Sequence, residues 1–169
     1  LEQARLSPLY AKRLGDRKFQ SLDDFRELLA FEHGVQVRGY WGQAVETAQE
    51  ARQLLAATGA HALGGDLFVD GSIGSHTAWL TQPYSDALGT GDDPGTGIAY
   101  LGPDAISAHL LACTEAGIQT GFHAIGDGAV RAVLDAIEKT GCDHSGCRIE
   151  HAELIDEKDL RRFVNLGVK

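Results

Sequence analysis

The feature that most restricts this sequence is a repeating rhythm: a short apolar run, then a helical pattern, then a glycine. It recurs from Val35 to the end of the chain with a period of about 30 residues. VQVRGYW, DLFVDG, QTGFHAI and CRIEHAEL read as strands, and a helical pattern follows each of them. In VETAQEARQLLAATG, Ala48, Ala51, Leu54 and Leu55 share one helical face before Gly59 stops it. PDAISAHLLACTEAG has Pro103 in its first turn and Gly117 as its C-terminal cap. DGAVRAVLDAIEKTG and DEKDLRRFVNLG complete the series. Upstream, SLDDFRELLAFEHG predicts a helix with Ser21 as N-cap and Asp24 at the third position. The expected organisation is a helical lead-in over residues 1–34 and one α/β unit over 35–169. Strands alternating with helices imply parallel pairing through right-handed crossovers, in an open doubly wound sheet or a (β/α)8 barrel. A whole barrel takes about 250 residues. The 169 residues here would supply only part of one, so length alone favours the open sheet.

Composition narrows the function. With 43% hydrophobic residues the chain can bury the core of one domain. Fifteen Lys and Arg against 24 Asp and Glu give a formal charge of −9, which repels a phosphate backbone and argues against nucleic acid as a partner. No window reaches the roughly 20 apolar residues that span a bilayer, and LEQARLSPLYAKR lacks the apolar core of a signal peptide. A soluble, cytoplasmic chain with no membrane partner is expected. Cys113, Cys142 and Cys147 fit reduced thiols better than a disulfide framework.

Chemistry is expected where successive strands end, because side chains from neighbouring parallel strands converge at their carboxyl ends. His123 and His151 lie 28 residues apart, at corresponding places in successive βα units. Two imidazoles there suit a transition metal such as zinc. The competing reading is a pair of buried histidines bonded to carbonyls. In GGDLFVDG, alternation puts Asp66, Phe68 and Asp70 on one strand face and Leu67 and Val69 on the other. Two acids on one short strand suggest a cation, or else a turn at Asp70-Gly71 with Asp66 at the solvated strand entrance.

Three ordered stretches, LFVDGSIGSHTAWLTQPYSD, HAIGDGAVRAVLDAIE and RIEHAELIDEKDLRRFVNLGV, resemble motifs of the amidohydrolase superfamily. They are most similar to the branch containing N-substituted formamide deformylase. The resemblance covers about Val35 to Lys169 and implies a partial (β/α)8 TIM barrel, roughly strands three to six with their helices. It further implies hydrolysis of a non-peptide, amide-type C–N bond in a small molecule by water activated on zinc or another divalent metal. His123 and His151 fall on the metal-binding histidines of the fifth and sixth strands. Asp66 stands where the family often has a lysine that bridges two metals, and is either a third ligand or a tolerant position. The family's His-x-His pair does not occur in this sequence, and its strand-eight aspartate has no counterpart in it. The chain is therefore expected to be an internal piece, inactive alone, with open sheet edges covered by self-association or a companion fragment. A non-catalytic half-barrel that binds a ligand or partner is the alternative.

Lesser candidates follow. Asp127 is an N-cap or orients a site histidine. Ser72, Ser75 and His76 lie on a long loop after the Asp70 strand, where they are exposed or contact substrate. CDHSGC is an ordinary turn or a metal knuckle. Arg148 and Glu150 share a strand face and predict an ion pair toward the helix layer. Trp41 and Trp79 serve as packing or pocket walls.

Overall fold

A computed structural model describes residues 22–32, 34, 36–86, 95–141 and 146–169. The expected Ser21 cap, most of the 1–34 lead-in, Val35 and Cys142 lie outside them. Helix α1 spans Leu22–Ala30 and buries Phe25 and Leu28. It packs on the α/β unit, with the Phe25 ring edge-on to Trp41 at 5.3 Å. Strand β1 (Tyr40–Trp41) leads to α2 (Ala48–Thr58), whose N-cap Thr47 accepts the Glu50 N–H and whose Gly59 closes it at φ 74°. Strand β2 is Ala62–Leu63, and a 3-10 turn follows at Ile73–Ser75. Then come α3 (Pro103–Ala116), β3 (Gly121–Ala124), α4 (Asp127–Thr140), β4 (Arg148–His151) and α5 (Glu157–Leu166). Every strand runs parallel to its neighbour. β1 pairs with β2 and β3 with β4. Single bridges at Leu63–Thr120 and Phe68–His123 join the two pairs. The strands therefore lie side by side in sequence order.

One strand differs from its sequence reading. DLFVDG contributes only the bridge at Phe68, with His123 N–H donating to Leu67 O and Val69 N–H to His123 O. The regular strand is two residues at Ala62–Leu63. Gly64 and Gly65, both at positive φ, separate the two pieces. The interruption is steric: a Cβ on Gly64 would lie 2.2 Å from the Gly121 carbonyl, so only glycine lets the chain pass that close to β3.

The core lies between the sheet and one helix layer. Phe122, Ala124, Ile149 and Val69 pack with Ile106 and Leu110 of α3 and Val130, Val133, Leu134 and Ile137 of α4. A second cluster joins Val45, Ala51, Leu63, Ala112 and Cys113. Trp79 and Trp41 pack at the margins of these two clusters. α5 is tied down by charge. Its buried Asp159 accepts from Arg131 Nε of α4 at 2.9 Å and from Arg162 at 2.8 Å. That hydrogen bond, with the charges of Asp159 and Asp156, raises the Arg131 pKa.

Arg148 and Glu150 do pair, with Nε to Oε1 at 2.7 Å, but not toward the helices. Ile149 between them belongs to the helix-facing core, so the pair occupies the opposite sheet face. At the edge of β4, Lys169 N–H donates to Cys147 O and Ile149 N–H to Lys169 O, the pattern of one more parallel residue. No helix among the described residues is long and apolar enough to cross a membrane.

Candidate metal centre

The sheet face away from the helices carries His123, and Asp66 and His151 come to it by different routes. His123 sits in regular β3, its side chain 8% exposed. Its Nε2 lies 3.0 Å from Gly71 O. A carbonyl is only an acceptor, so this bond assigns the proton to Nε2 and leaves Nδ1 as a lone pair in the neutral ring. That Nδ1 faces Asp66 Oδ1 at 3.2 Å. His151 Nε2 lies 3.2 Å from the same oxygen. One ligand atom from each residue can be chosen so that all three lie within 4.8 Å of one another. The two rings meet edge to face with centroids 4.6 Å apart.

This arrangement can hold a cation as well as hydrogen bonds from the imidazoles to Asp66. A carboxylate oxygen and an imidazole lone pair repel when nothing lies between them. Tetrahedral ligands at about 2.0–2.2 Å from zinc stand about 3.3–3.5 Å apart, close to the two imidazole–carboxylate separations of 3.2 Å. The three side chains therefore fit a divalent ion, and the Nε2–H to carbonyl bond is the usual way a ligating histidine is oriented.

His151 reaches the site in a way the sequence reading did not foresee. In register, His123 lies opposite Glu150, and His151 opposite Ala124. Alternation would turn His151 with Ala124 toward the helix layer. Instead the backbone bends: φ is 72° at His151 and 48° at Ala152. The Ala152 N–H donates to Glu150 O at 3.1 Å, two residues back. That bond and that φ mark a γ-turn of the rare, strained hand, whose central φ is about +75°. Two successive non-glycine residues at positive φ cost about 1–2 kcal/mol each.

Asp70 is fully buried and is bound by backbone rather than set in an exposed turn. Its carboxylate accepts from Trp79, Ile125 and Gly126 N–H at 2.8, 3.0 and 2.8 Å. Oδ1 is 3.7 Å from His123 Nε2. Asp127 starts α4, but Gly126 holds the N-cap position. The Asp127 carboxylate accepts from Thr81 N–H at 2.9 Å and from the Thr81 hydroxyl, so it pins the loop and bonds neither site histidine. Ser72 and Ser75 hydroxyls lie 2.9 Å apart, and Ser75 is 2.6 Å from the Thr77 hydroxyl. His76 stacks on Tyr84 at 4.6 Å and lies 3.4 Å from Asp86. Of CDHSGC, Cys147 is buried in the core and Cys142 falls outside the described residues.

Two contributors were missed as functional or structural groups. Phe68, 52% exposed, packs its ring 4.4 Å from His123 and forms an apolar wall. The alternation that placed it beside Asp66 was the available signal. His109 is fully buried on α3, where Nδ1 accepts Val45 N–H at 3.2 Å and Nε2 lies 2.6 Å from Thr120 Oγ1. Burial lowers its pKa to about 4, so it is a neutral structural bridge. Its place three residues after Ile106 on the apolar face was the signal for it.

Comparison with known proteins fits this geometry. The family model described as the amidohydrolase family matches residues 12–169. The chain belongs to the amidohydrolase family. It is 32% identical over 111 residues to Protein LONG AFTER FAR-RED 3 of Arabidopsis thaliana, covering 63% of this chain and 18% of that protein. It resembles the crystal structure of an uncharacterized metal-dependent hydrolase from Pyrococcus furiosus, with TM-score 0.56 and 32% identity over 72% of this chain and 26% of the other. A second such hydrolase, from Pyrococcus horikoshii OT3, gives TM-score 0.57 and 31% identity over 73% and 25%. The chain thus spans 18% of the length of its curated relatives and about a quarter of these structures.

Proposed function

We propose that this amidohydrolase-family chain is the central part of a (β/α)8 barrel, about strands three to six. In this reading it supplies Asp66, His123 and His151 to the divalent-metal centre of a hydrolase. The observation that carries it is the convergence of His123 Nδ1 and His151 Nε2 on Asp66 Oδ1, each at 3.2 Å. The parallel strands in sequence order and the likeness to metal-dependent hydrolases support it. Zinc suits the two imidazoles and a carboxylate. A divalent cation held by Asp66, His123 and His151 would supply Lewis-acid polarisation of a carbonyl and would lower the pKa of water toward about 7.

The chain's own residues bind and orient. Gly71 O fixes the His123 ring, and Asp70 fixes the backbone behind it. Phe68 covers one side of the His123 ring. Ser72 and His76 lie on the loop that Asp127 anchors, and in this reading they would contact the substrate. The substrate class is a small molecule with a non-peptide, amide-type C–N bond. The family's His-x-His and final aspartate have no counterpart in this sequence, so the chain by itself is expected to show negligible turnover. Leu160 and Val164 of α5, 55% and 82% exposed, are the kind of surface that self-association or a companion segment would cover.

The test has two arms. Zinc or manganese should raise the unfolding midpoint of the protein, and changing both His123 and His151 to alanine should abolish that rise. Full metal retention by the double variant rejects the centre. Assays against N-substituted formamides and other amides should give no metal-dependent turnover from the chain alone, and clear turnover rejects the inactivity.

A further inference from the structure

We propose that Ala152 is a positioning residue for the metal centre: its left-handed backbone locks the turn that swings His151 onto the face carrying His123 and Asp66. The proposal rests on the metal reading above, because it gives the turn something to position. The argument begins with register. β4 lies beside β3 with Ile149 opposite Phe122 and His151 opposite Ala124, and Phe122, Ala124 and Ile149 all belong to the helix-side core. A strand continuing regularly through His151 would send its side chain into that core. The observed ring is instead 4.6 Å from the His123 ring, on the other face.

The bend that achieves this is held at Ala152. Its single N–H is shared between Glu150 O at 3.1 Å and Ala124 O at 2.9 Å. The first bond closes the γ-turn around His151, and the second ties that turn to the end of β3, one residue past His123. Leu154 N–H then donates to Ile125 O at 3.0 Å, holding the outgoing chain to the same strand exit. Meanwhile the Ala152 methyl packs against the helix-side core, in place of the imidazole. The two side chains have exchanged faces.

The side chain at 152 therefore decides whether the bend persists. Alanine tolerates φ 48° with some strain, glycine adopts it freely, and a β-branched residue is strongly disfavoured there. Strain of this kind survives only where surrounding bonds over-determine it, as the shared N–H does here. Loss of an outer positioning group commonly weakens a metal site by about 10–100-fold.

The experiment measures zinc affinity calorimetrically on the metal-stripped intact protein, with far-UV circular dichroism and a urea midpoint for each variant. Ala152→Gly should keep zinc affinity within about fivefold of the parent with no loss of urea midpoint. Ala152→Val should lower affinity by about tenfold or more while the dichroism spectrum is kept. If that variant does not fold, Ala152→Thr, which is also branched at Cβ, is measured against the same limits. A folded Val or Thr variant that binds zinc within fivefold of the parent overturns the proposal, as does a larger loss in Ala152→Gly. A purely structural role would move the urea midpoint and leave zinc affinity alone. His123→Ala serves as the control: if it leaves zinc binding unchanged, the metal reading itself fails. If it removes binding while the folded Ala152→Val retains it, only the positioning role fails.

Discussion

Asp70 holds Gly126: its buried carboxylate accepts the Gly126 N–H at 2.8 Å and so ties the loop after β2 to the start of α4. The same carboxylate takes the N–H groups of Trp79 and Ile125. Removing it would leave three donors without their partner, each costing about 1–3 kcal/mol if water does not replace it. Asp70→Ala should therefore destabilise the fold by about 3 kcal/mol or more, read from the urea midpoint. Asp70→Asn, which keeps one acceptor oxygen, should lose less. Equal stability of all three proteins would show that the carboxylate carries no such load.

Asp66 should behave in the opposite way. Its side chain is 65% exposed, and its hydrogen-bond partners among the described residues are the two imidazoles, so Asp66→Ala should change metal-free stability by less than about 0.5 kcal/mol. A ligand that binds only the folded state stabilises by mass action, so a lost donor atom shows as a smaller rise on adding zinc. Thermal midpoints with and without zinc measure this. An undiminished rise in Asp66→Ala would place the aspartate outside the ligand set.

How far these roles were legible in the sequence depended on the range of the interaction that fixes them. Helix ends were legible because their causes are local: Pro103 at a first turn, and Gly59, Gly117, Gly141 and Gly167 at left-handed C-terminal caps. The histidine pair was legible as a pair through its spacing, although the register puts His123 opposite Glu150. Alternation assumes an unbroken strand, and the positive φ at His151 breaks it. The two-residue β2 was missed because Ala62–Leu63 carries little strand signal and its pairing is set by neighbours distant in sequence. Asp70 reads in the sequence as either a turn residue or a site acid because its three donors come from Trp79, Ile125 and Gly126, which no local window joins to it.

The two described cysteines should resist modification. Burial pushes the Cys113 thiol up to about 11 and the Cys147 thiol up to about 12. At pH 8 almost none of either is thiolate, the reactive form, and both are covered. Iodoacetamide at pH 8, followed by peptide mass spectrometry, should leave both unlabelled in the folded protein and label both in urea. Rapid labelling of Cys113 or Cys147 without denaturant would contradict their place in the core.

His109 should give the fold an acid-sensitive step. Its ordinary pKa of 6.5 falls to about 4 on burial, and Val45 N–H occupies the Nδ1 lone pair that protonation would remove. Above about pH 6.5 both folded and unfolded forms carry a neutral ring, so the full stability is present. As pH falls toward 4, the unfolded chain takes up a proton that the folded chain refuses, and stability is lost progressively. The expected loss from this group is about 3 kcal/mol across that window, since each pH unit contributes about 1.4 kcal/mol at most. Urea midpoints between pH 7.5 and 4 (about) would measure the slope, and His109→Asn, which retains an acceptor for Val45 but does not titrate, should flatten it. An unchanged slope in that variant would assign the acid sensitivity to other groups.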